Sequence, residues 1–348
     1  KLVLAAFLFV STISTNSLAD IKMGIILGFT GPIESLTPAM ANSAELAFNE
    51  ASNSGKLLGG KKISIERADS TCVDSAAATT AAEGLVANGV VAIMGADCSG
   101  VTGAIATNVA VPNGVVMISP SATSPGLTDL NDNGYFFRTA PSDARGGQIL
   151  ADITKDRKIK SVAITYTNND YGKGLADVYK AAVEAHGIKV TTVAAHEDGK
   201  ADYSAEVATL ASAGGDAVAV IGYIDQGGKG IIQASLDSGA FDRFILSDGM
   251  IGDSLTDNFG KALNKSFGSL PGSTGKGAGV FADVAKAAGI DSSGPYTGES
   301  YDAAALITLA MQAGGKADRA TIQQNVMAVA NAPGKKIYPG ELGKALDL

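Results

Sequence analysis

From Asp20 onward the chain alternates short apolar runs with longer segments whose apolar positions recur every three to four residues. The runs at 21–27, 62–68, 90–94 and 115–118 read as strands, and the segments at 38–54, 76–88 and 101–110 read as helices. A strand–helix series of this kind argues for a parallel sheet wound on both faces. The series restarts after Arg138-Thr139-Ala140-Pro141. Helices at 143–155, 174–185, 204–213 and 227–238 then alternate with strands at 161–166, 189–194, 217–221 and 243–246. Two series predict two doubly wound α/β lobes joined by a hinge. Residues 20–140 and 271–348 form the first lobe in this reading, and 141–270 the second. The chain crosses between them near Ala140-Pro141 and Leu270-Pro271. The Gly/Ser/Pro-rich stretch 267–279 reads as a crossing loop, and 298–314 and 319–330 as helices. A last helix opened by Pro339-Gly340-Glu341 calls for a closing strand beyond Leu348, so the C-terminal end reads as truncated.

Two turns at strand ends carry the candidate chemistry. Gly95-Ala96-Asp97-Cys98-Ser99-Gly100 and Ser119-Pro120-Ser121-Ala122-Thr123-Ser124-Pro125 are small, hydroxyl-rich, and each precedes a predicted helix. Open α/β sheets bind ligands at the carboxyl ends of their strands. Ser and Thr hydroxyls beside unpaired helix N-terminal amides make a neutral cradle for a small carboxylate. A site between the lobes is the expected place for a small molecule.

Composition narrows the classes. The chain of 348 residues is 46% hydrophobic and 18% charged, with 43 glycines, which fits a globular protein with many tight turns. A formal charge of −8 argues against nucleic acid, which attracts a basic face. Residues 1–19 begin with Lys1, continue with an apolar run to Val10 and end in Ser17-Leu18-Ala19. That is the pattern of an export signal cut before Asp20, and the run falls short of the roughly 20 apolar residues of a spanning helix. In an oxidising compartment Cys72 and Cys98 have only each other as partners, and a structural disulfide is the reading. A metal or redox pair lacks further ligands. No cofactor is expected.

At this point the ordered motifs resemble a known family. They are Thr30-Gly31-Pro32, the Cys72/Cys98 pair, 118–125, Asn169-Asp170-Tyr171-Gly172-Lys173-Gly174, Gly222-Tyr223, Ser247-Asp248-Gly249 and Ser293-Gly294-Pro295-Tyr296. From Asp20 to Leu348 the chain is similar to type 1 periplasmic solute-binding proteins of the branched-chain amino acid class. The resemblance implies a periplasmic, monomeric, non-enzymatic receptor that delivers an amino acid or small carboxylate to the membrane permease of an ABC importer. It implies that Ser99 and Thr123 bind the ligand carboxylate, with Ser121 and Ala122 helping through the main chain. Tyr171 would close on the amino acid, Tyr223 would pack over it, and Asp248 would take its ammonium, where the family more often has Glu. Leu36, Asp97 and Tyr296 would line the side-chain pocket. Asp97 departs from the usual aliphatic residue. Together with Glu34 it predicts an acidic wall that favours ligands with polar or cationic tails over leucine.

Plainer readings stand beside these. Ser99 and Thr123 also suit helix capping, Asp248 a turn before Gly249, and Asp97 a solvent-facing or turn-bonding carboxylate. Tyr301 reads as a core residue. Gly252-Asp253-Ser254-Leu255-Thr256-Asp257 spells the nucleophile block of GDSL-type esterases, which makes a secreted hydrolase using Ser254 the alternative from another class. Such a hydrolase needs a later histidine, and His186 and His196 both precede Ser254. Gly272-Ser273-Thr274-Gly275-Lys276-Gly277 imitates a phosphate loop but departs from its pattern at both ends. Within the same fold, a sensor feeding a regulator is the other alternative.

Overall fold

The structure, a computed structural model, describes residues 20–348; the expected export signal at 1–19 lies outside them. The first sheet contains β1 (Ile21–Leu27), β2 (Ile63–Asp69), β3 (Ala92–Gly95), β4 (Val116–Ser119) and β5 (Phe136–Arg138), in the order β2-β1-β3-β4-β5. The second contains β6 (Ser161–Thr167), β7 (Lys189–His196), β8 (Ala217–Ile221), β9 (Phe244–Leu246) and β10 (Phe267–Gly268), in the order β10-β9-β8-β6-β7. All pairings are parallel. Each lobe therefore starts on an inner strand, adds its second strand on one side and the remaining three on the other.

Helices cover both faces. In chain order they are α1 (Thr37–Asn53), α2 (Ser75–Ala87), α3 (Ser99–Ile105), α4 (Asp143–Asp156), α5 (Asp170–Ala185) and α6 (Ser204–Ala213). They continue with α7 (Gly227–Ser238), α8 (Asp253–Phe259), α9 (Lys276–Ala287), α10 (Thr297–Gly314), α11 (Arg319–Ala330) and α12 (Leu342–Ala345). Strands buried on both faces need no alternation, and β3, β4 and β8 are continuous buried runs for that reason. In α1 the buried Met40, Ala44, Ala47, Phe48 and Ala51 recur at helical spacing and build one face of the first lobe with residues of α10. Asp74, Ser142, Asn169 and Asp318 cap α2, α4, α5 and α11 through their side chains.

One apolar cluster lies on the outer side of the first sheet with α1, α10 and α11, and another on the outer side of the second with α6 and α7. The third is continuous from Ile26, Ile93 and Val101 through Tyr171 and Tyr223 to Val162 and Ile221, so apolar packing runs from one lobe to the other. Tyr301 is a core residue, as expected, with its hydroxyl bonded to Glu50.

The structure corrects several element boundaries. Helix α3 starts at Ser99 and gives way at Ala106–Ala110 to a wider π-type turn. Helix α5 starts four residues before the predicted 174, because the Asn169 side chain accepts from the Gly172 amide at 3.0 Å and opens the helix there. The stretch 267–279 is not all loop: it holds β10 and the start of α9, whose buried Phe281 and Ala285 pack on the first lobe. The three-residue β5 has no counterpart in the predicted elements.

Candidate functional site

In each sheet the strand order reverses between two neighbouring strands, β1 and β3 in the first lobe and β6 and β8 in the second. The turns leaving these strands diverge to opposite faces and open a crevice at the carboxyl edge. The turns after β1, β3 and β4 of one lobe and after β6, β8 and β9 of the other meet around an unfilled space of about 390 Å³, its mouth included. Leu36, Asp97, Ser99, Ser121, Tyr171, Tyr223, Asp248 and Tyr296 line it, joined by Ile33 and Met40, which the sequence reading did not single out. Ala122 and Thr123 are fully buried and do not line the space.

Local packing fixes the hydroxyl end. Gly95 closes β3 at φ +127°, and a Cβ there would stand 2.0 Å from the Ile26 carbonyl, so only glycine lets the turn pass so near β1. The Cys72–Cys98 disulfide ties this turn to the turn after β2. Ser99 is buried, and its Oγ accepts from the Ser124 amide at 3.1 Å, which locks the two hydroxyl-rich turns together. The Ala122 amide donates to Ser119 Oγ at 2.9 Å, and the Ser121 amide points to the same oxygen at 3.4 Å. The main-chain donors expected from Ser121 and Ala122 are thus already engaged. Arg138, on β5, donates to the Ala122 and Ser124 carbonyls at 3.0 and 2.9 Å and holds the turn from below. Thr123 Oγ1 is buried with no partner among the described residues.

The other end is carboxylate and phenol. Tyr171 and Tyr223 stack with ring centroids 5.2 Å apart. Asp248 Oδ1 accepts from the Tyr171 hydroxyl and Oδ2 from the Tyr296 hydroxyl, each at 2.6 Å. Tyr171 comes from the second lobe and Tyr296 from the start of α10 in the first, so Asp248 is gripped from both sides of the cleft. Burial pushes Asp248 above the usual carboxylate range, against the pull of these two hydroxyls. Burial and the neighbouring charge of Asp248 push both phenols well above their ordinary range, which keeps them neutral donors.

Asp143 was missed by sequence reasoning, since an acid at the start of a helix is ordinary. It is buried at the first residue of α4, donates its amide to the Thr123 carbonyl at 2.9 Å, and has an Oδ2 without a partner among the described residues. Burial, then the charge of Asp248, raise it well above the usual range. The nearby Thr123 hydroxyl, which makes no bond of sound geometry to it, and the Arg138 guanidinium pull the other way. Asp143 and Thr123 thus add a second buried carboxylate and an unpartnered hydroxyl behind the lining, near Asp248 but not bordering the space.

Asp97 is corrected in role. Its Oδ2 accepts from the Gly28 amide at 2.6 Å, and its Oδ1 from the Cys98 amide at 2.9 Å and Ser70 Oγ at 3.1 Å. Burial raises it, but these donors satisfy the carboxylate, so it staples three turns rather than offering an unpaired charge to a ligand tail. Glu34 is exposed and does not line the space. The remaining side-chain wall is Ile33, Leu36 and Met40, which is apolar. Ser254 Oγ donates to Asp225 Oδ1 at 3.0 Å, while His196 pairs with Thr165 and His186 with Asp152, so neither histidine serves Ser254. Among the described residues no cluster of His, Cys, Asp and Glu is placed to hold a metal, and no helix is long and apolar enough to cross a membrane.

A family model described as periplasmic binding protein matches residues 20–335. The chain belongs to this family. Among curated relatives, Leu/Ile/Val-binding protein homolog 3 of Brucella melitensis is 33% identical over 65% of this chain and 61% of its own length. The chain thus spans less than two thirds of that relative. An amino acid binding protein of Pseudomonas aeruginosa is 27% identical over 88% of this chain and 82% of its own. Among solved structures, the branched-chain amino acid transporter substrate binding protein LivJ of Streptococcus pneumoniae, in complex with isoleucine, superposes with a TM-score of 0.75 at 24% identity, covering 88% of each chain. The leucine binding protein LivK of Thermotoga maritima gives 0.77 at 23% identity, covering 88% of this chain and 87% of its own. These structures share the two-lobed type 1 architecture.

Proposed function

We propose that this periplasmic binding protein is the exported, monomeric receptor of an ABC importer, and that it binds a zwitterionic amino acid between lobes that close on it. The reading rests above all on one arrangement. A hydroxyl-rich turn end at Ser99 and Thr123, with Asp143 beside Thr123, stands in the first lobe against the Asp248 carboxylate of the second, the groups that an amino acid's carboxylate and ammonium need. The Thr123 hydroxyl and the Asp143 oxygen support it as polar atoms with no protein partner among the described residues, and so with bonding capacity to spare. In this reading Ser99 and Thr123 take the carboxylate, Asp248 and Asp143 the ammonium, and Tyr171 and Tyr223 cover the ligand. The Ile33, Leu36 and Met40 wall, and the engagement of Asp97 by backbone, favour an uncharged side chain. Delivery to a permease is supported by the relatives' names and by the resemblance.

A thermal-shift screen of the mature protein across the twenty amino acids and small carboxylates tests the reading. An amino acid with an uncharged side chain should raise the melting temperature most, and Thr123→Ala should reduce the shift at a given ligand concentration while the unliganded melting point stays near that of the wild type. A protein that responds to none of them, or to carboxylates without an amino group equally well, would contradict it.

A further inference from the structure

Asp225 lies in the turn after β8 in the second lobe, at the rim of the cleft and outside the groups expected to meet ligand. Its amide donates to the Pro32 carbonyl at 3.0 Å, and its Oδ2 accepts from the Ser35 amide at 2.8 Å. Pro32 and Ser35 both belong to the turn between β1 and α1, in the first lobe. The other carboxylate oxygen, Oδ1, accepts from Ser254 Oγ at 3.0 Å. Ser254 sits in the first turn of α8, in the string that imitates an esterase nucleophile. Its hydroxyl is spent on aiming a carboxylate across the cleft, a role that needs no histidine.

The first-lobe half of this contact is held rigidly. Gly31 has φ +106°, and a Cβ there would stand 2.4 Å from the Thr71 carbonyl, so the turn is pressed onto its neighbour. Asp69 accepts from Thr30 Oγ1 at 2.6 Å and from the Thr71 amide at 2.8 Å, which fixes the residues leading into Pro32. Apolar contact backs the hydrogen bonds. A Cβ on Gly252 would stand 2.9 Å from the Leu36 side chain of the first lobe and the same distance from Ile224. Two backbone groups of one lobe thus converge on one residue of the other, with a serine supporting it from behind.

We propose that Asp225, aimed by Ser254, is the clasp residue that holds the two lobes closed at the rim without touching ligand. The proposal rests on the two-lobe receptor reading and concerns closure, not recognition. Because its first-lobe partners are backbone groups, the clasp acts alike for any ligand. The test uses the mature protein with no added ligand, so that failure of the ligand assignment leaves the readout intact. Hydrogen exchange by NMR reads the amides of Ser35 and residue 225, with the β8 amides as a folding control. Asp225→Ala should speed exchange of both rim amides at least tenfold and enlarge the radius of gyration in small-angle scattering. Ser254→Ala should move both amides the same way by about threefold, and Asp225→Asn, which keeps an acceptor oxygen, should stay within threefold of wild type at Ser35. An unprotected Ser35 amide in the wild type would overturn the clasp. So would loss confined to Ser35 with residue 225 unmoved, or a Ser254→Ala variant that changes neither. If Asp225→Ala fails to fold, the Ser254→Ala and Asp225→Asn arms decide.

Discussion

Thr123 and Ser99 offer the sharpest comparison between residues. Ser99 Oγ already accepts from the Ser124 amide, so Ser99→Ala removes both a turn bond and a ligand donor, whereas Thr123 Oγ1 has no partner to lose among the described residues. Each alanine variant should weaken binding of the best amino acid by about 1–3 kcal/mol, and only Ser99→Ala should also lower the unliganded melting point. Calorimetric titration beside thermal unfolding checks both halves. Asp143 makes a second prediction. Its raised pKa means that an arriving ammonium favours the ionised form, so binding should release a proton and tighten as pH rises above the ordinary carboxylate range. Titrations in two buffers of different ionisation enthalpy measure that proton, and Asp143→Asn should abolish its release; identical heats for the wild type would contradict it. His196 lies outside the site, buried with Nδ1 on Thr165 Oγ1 at 2.8 Å and with Nε2 unpartnered among the described residues. Burial lowers its pKa to about 4, so the folded state favours the neutral ring. Its stabilising contribution is complete above pH ~6.5, the unfolded value, and is lost as pH falls toward 4, by roughly 3 kcal/mol. His196→Asn, which can keep the Thr165 bond, should lose less stability than wild type over that interval in denaturant titrations; parallel curves would refute the assignment. At this scale the sequence told of hydroxyls and tyrosines at strand ends. It did not tell that Asp97 is satisfied by three neighbours or that Asp143 is buried without one, because those facts depend on turns brought together from distant positions.

Between residues and lobes, the turns are the working elements. The Cys72–Cys98 bridge ties the turn after β2 to the turn that presents Ser99, and closes a separation of 26 residues. By chain entropy it should stabilise the fold by about 3.5 kcal/mol. Denatured, unreduced protein should show no reactive thiol, and reduction should lower the melting temperature and weaken amino acid binding together. Two titratable thiols, or unchanged affinity after reduction, would separate the bridge from the site. Most elements were legible because buried parallel strands are continuous apolar runs and their covering helices repeat every three to four residues. Helix α9 was hidden because it begins in a glycine-rich stretch, with Gly277 and Gly279 in its first turn, and buries only Phe281 and Ala285. The early start of α5 was hidden because Asn169 opens it through a side-chain bond, which leaves no apolar mark.

As a whole, the molecule is two sheets of the same strand order set with their carboxyl edges toward one cleft. Closure about Ala140-Pro141 and Leu270-Pro271 is the motion this arrangement proposes, and saturating amino acid should bring the radius of gyration of the Asp225→Ala variant back toward that of the wild type in small-angle scattering. The doubling of the pattern, and with it the location of the cleft, was readable from the restart of the strand–helix series; the polar grip of Tyr171 and Tyr296 on Asp248 from opposite lobes was not, since it joins positions far apart in the chain. The central claim is that the cleft recognises both ends of a zwitterion. The most direct measurement is calorimetric titration of the mature protein with each amino acid that binds, set beside its decarboxylated amine and its deaminated acid. The account predicts one tight site for the amino acid and at least about a hundredfold loss for either analogue, since the amine leaves the buried hydroxyls unmet and the acid the buried carboxylates. Equal binding of either single-ended analogue, or no binding by any amino acid, would contradict it.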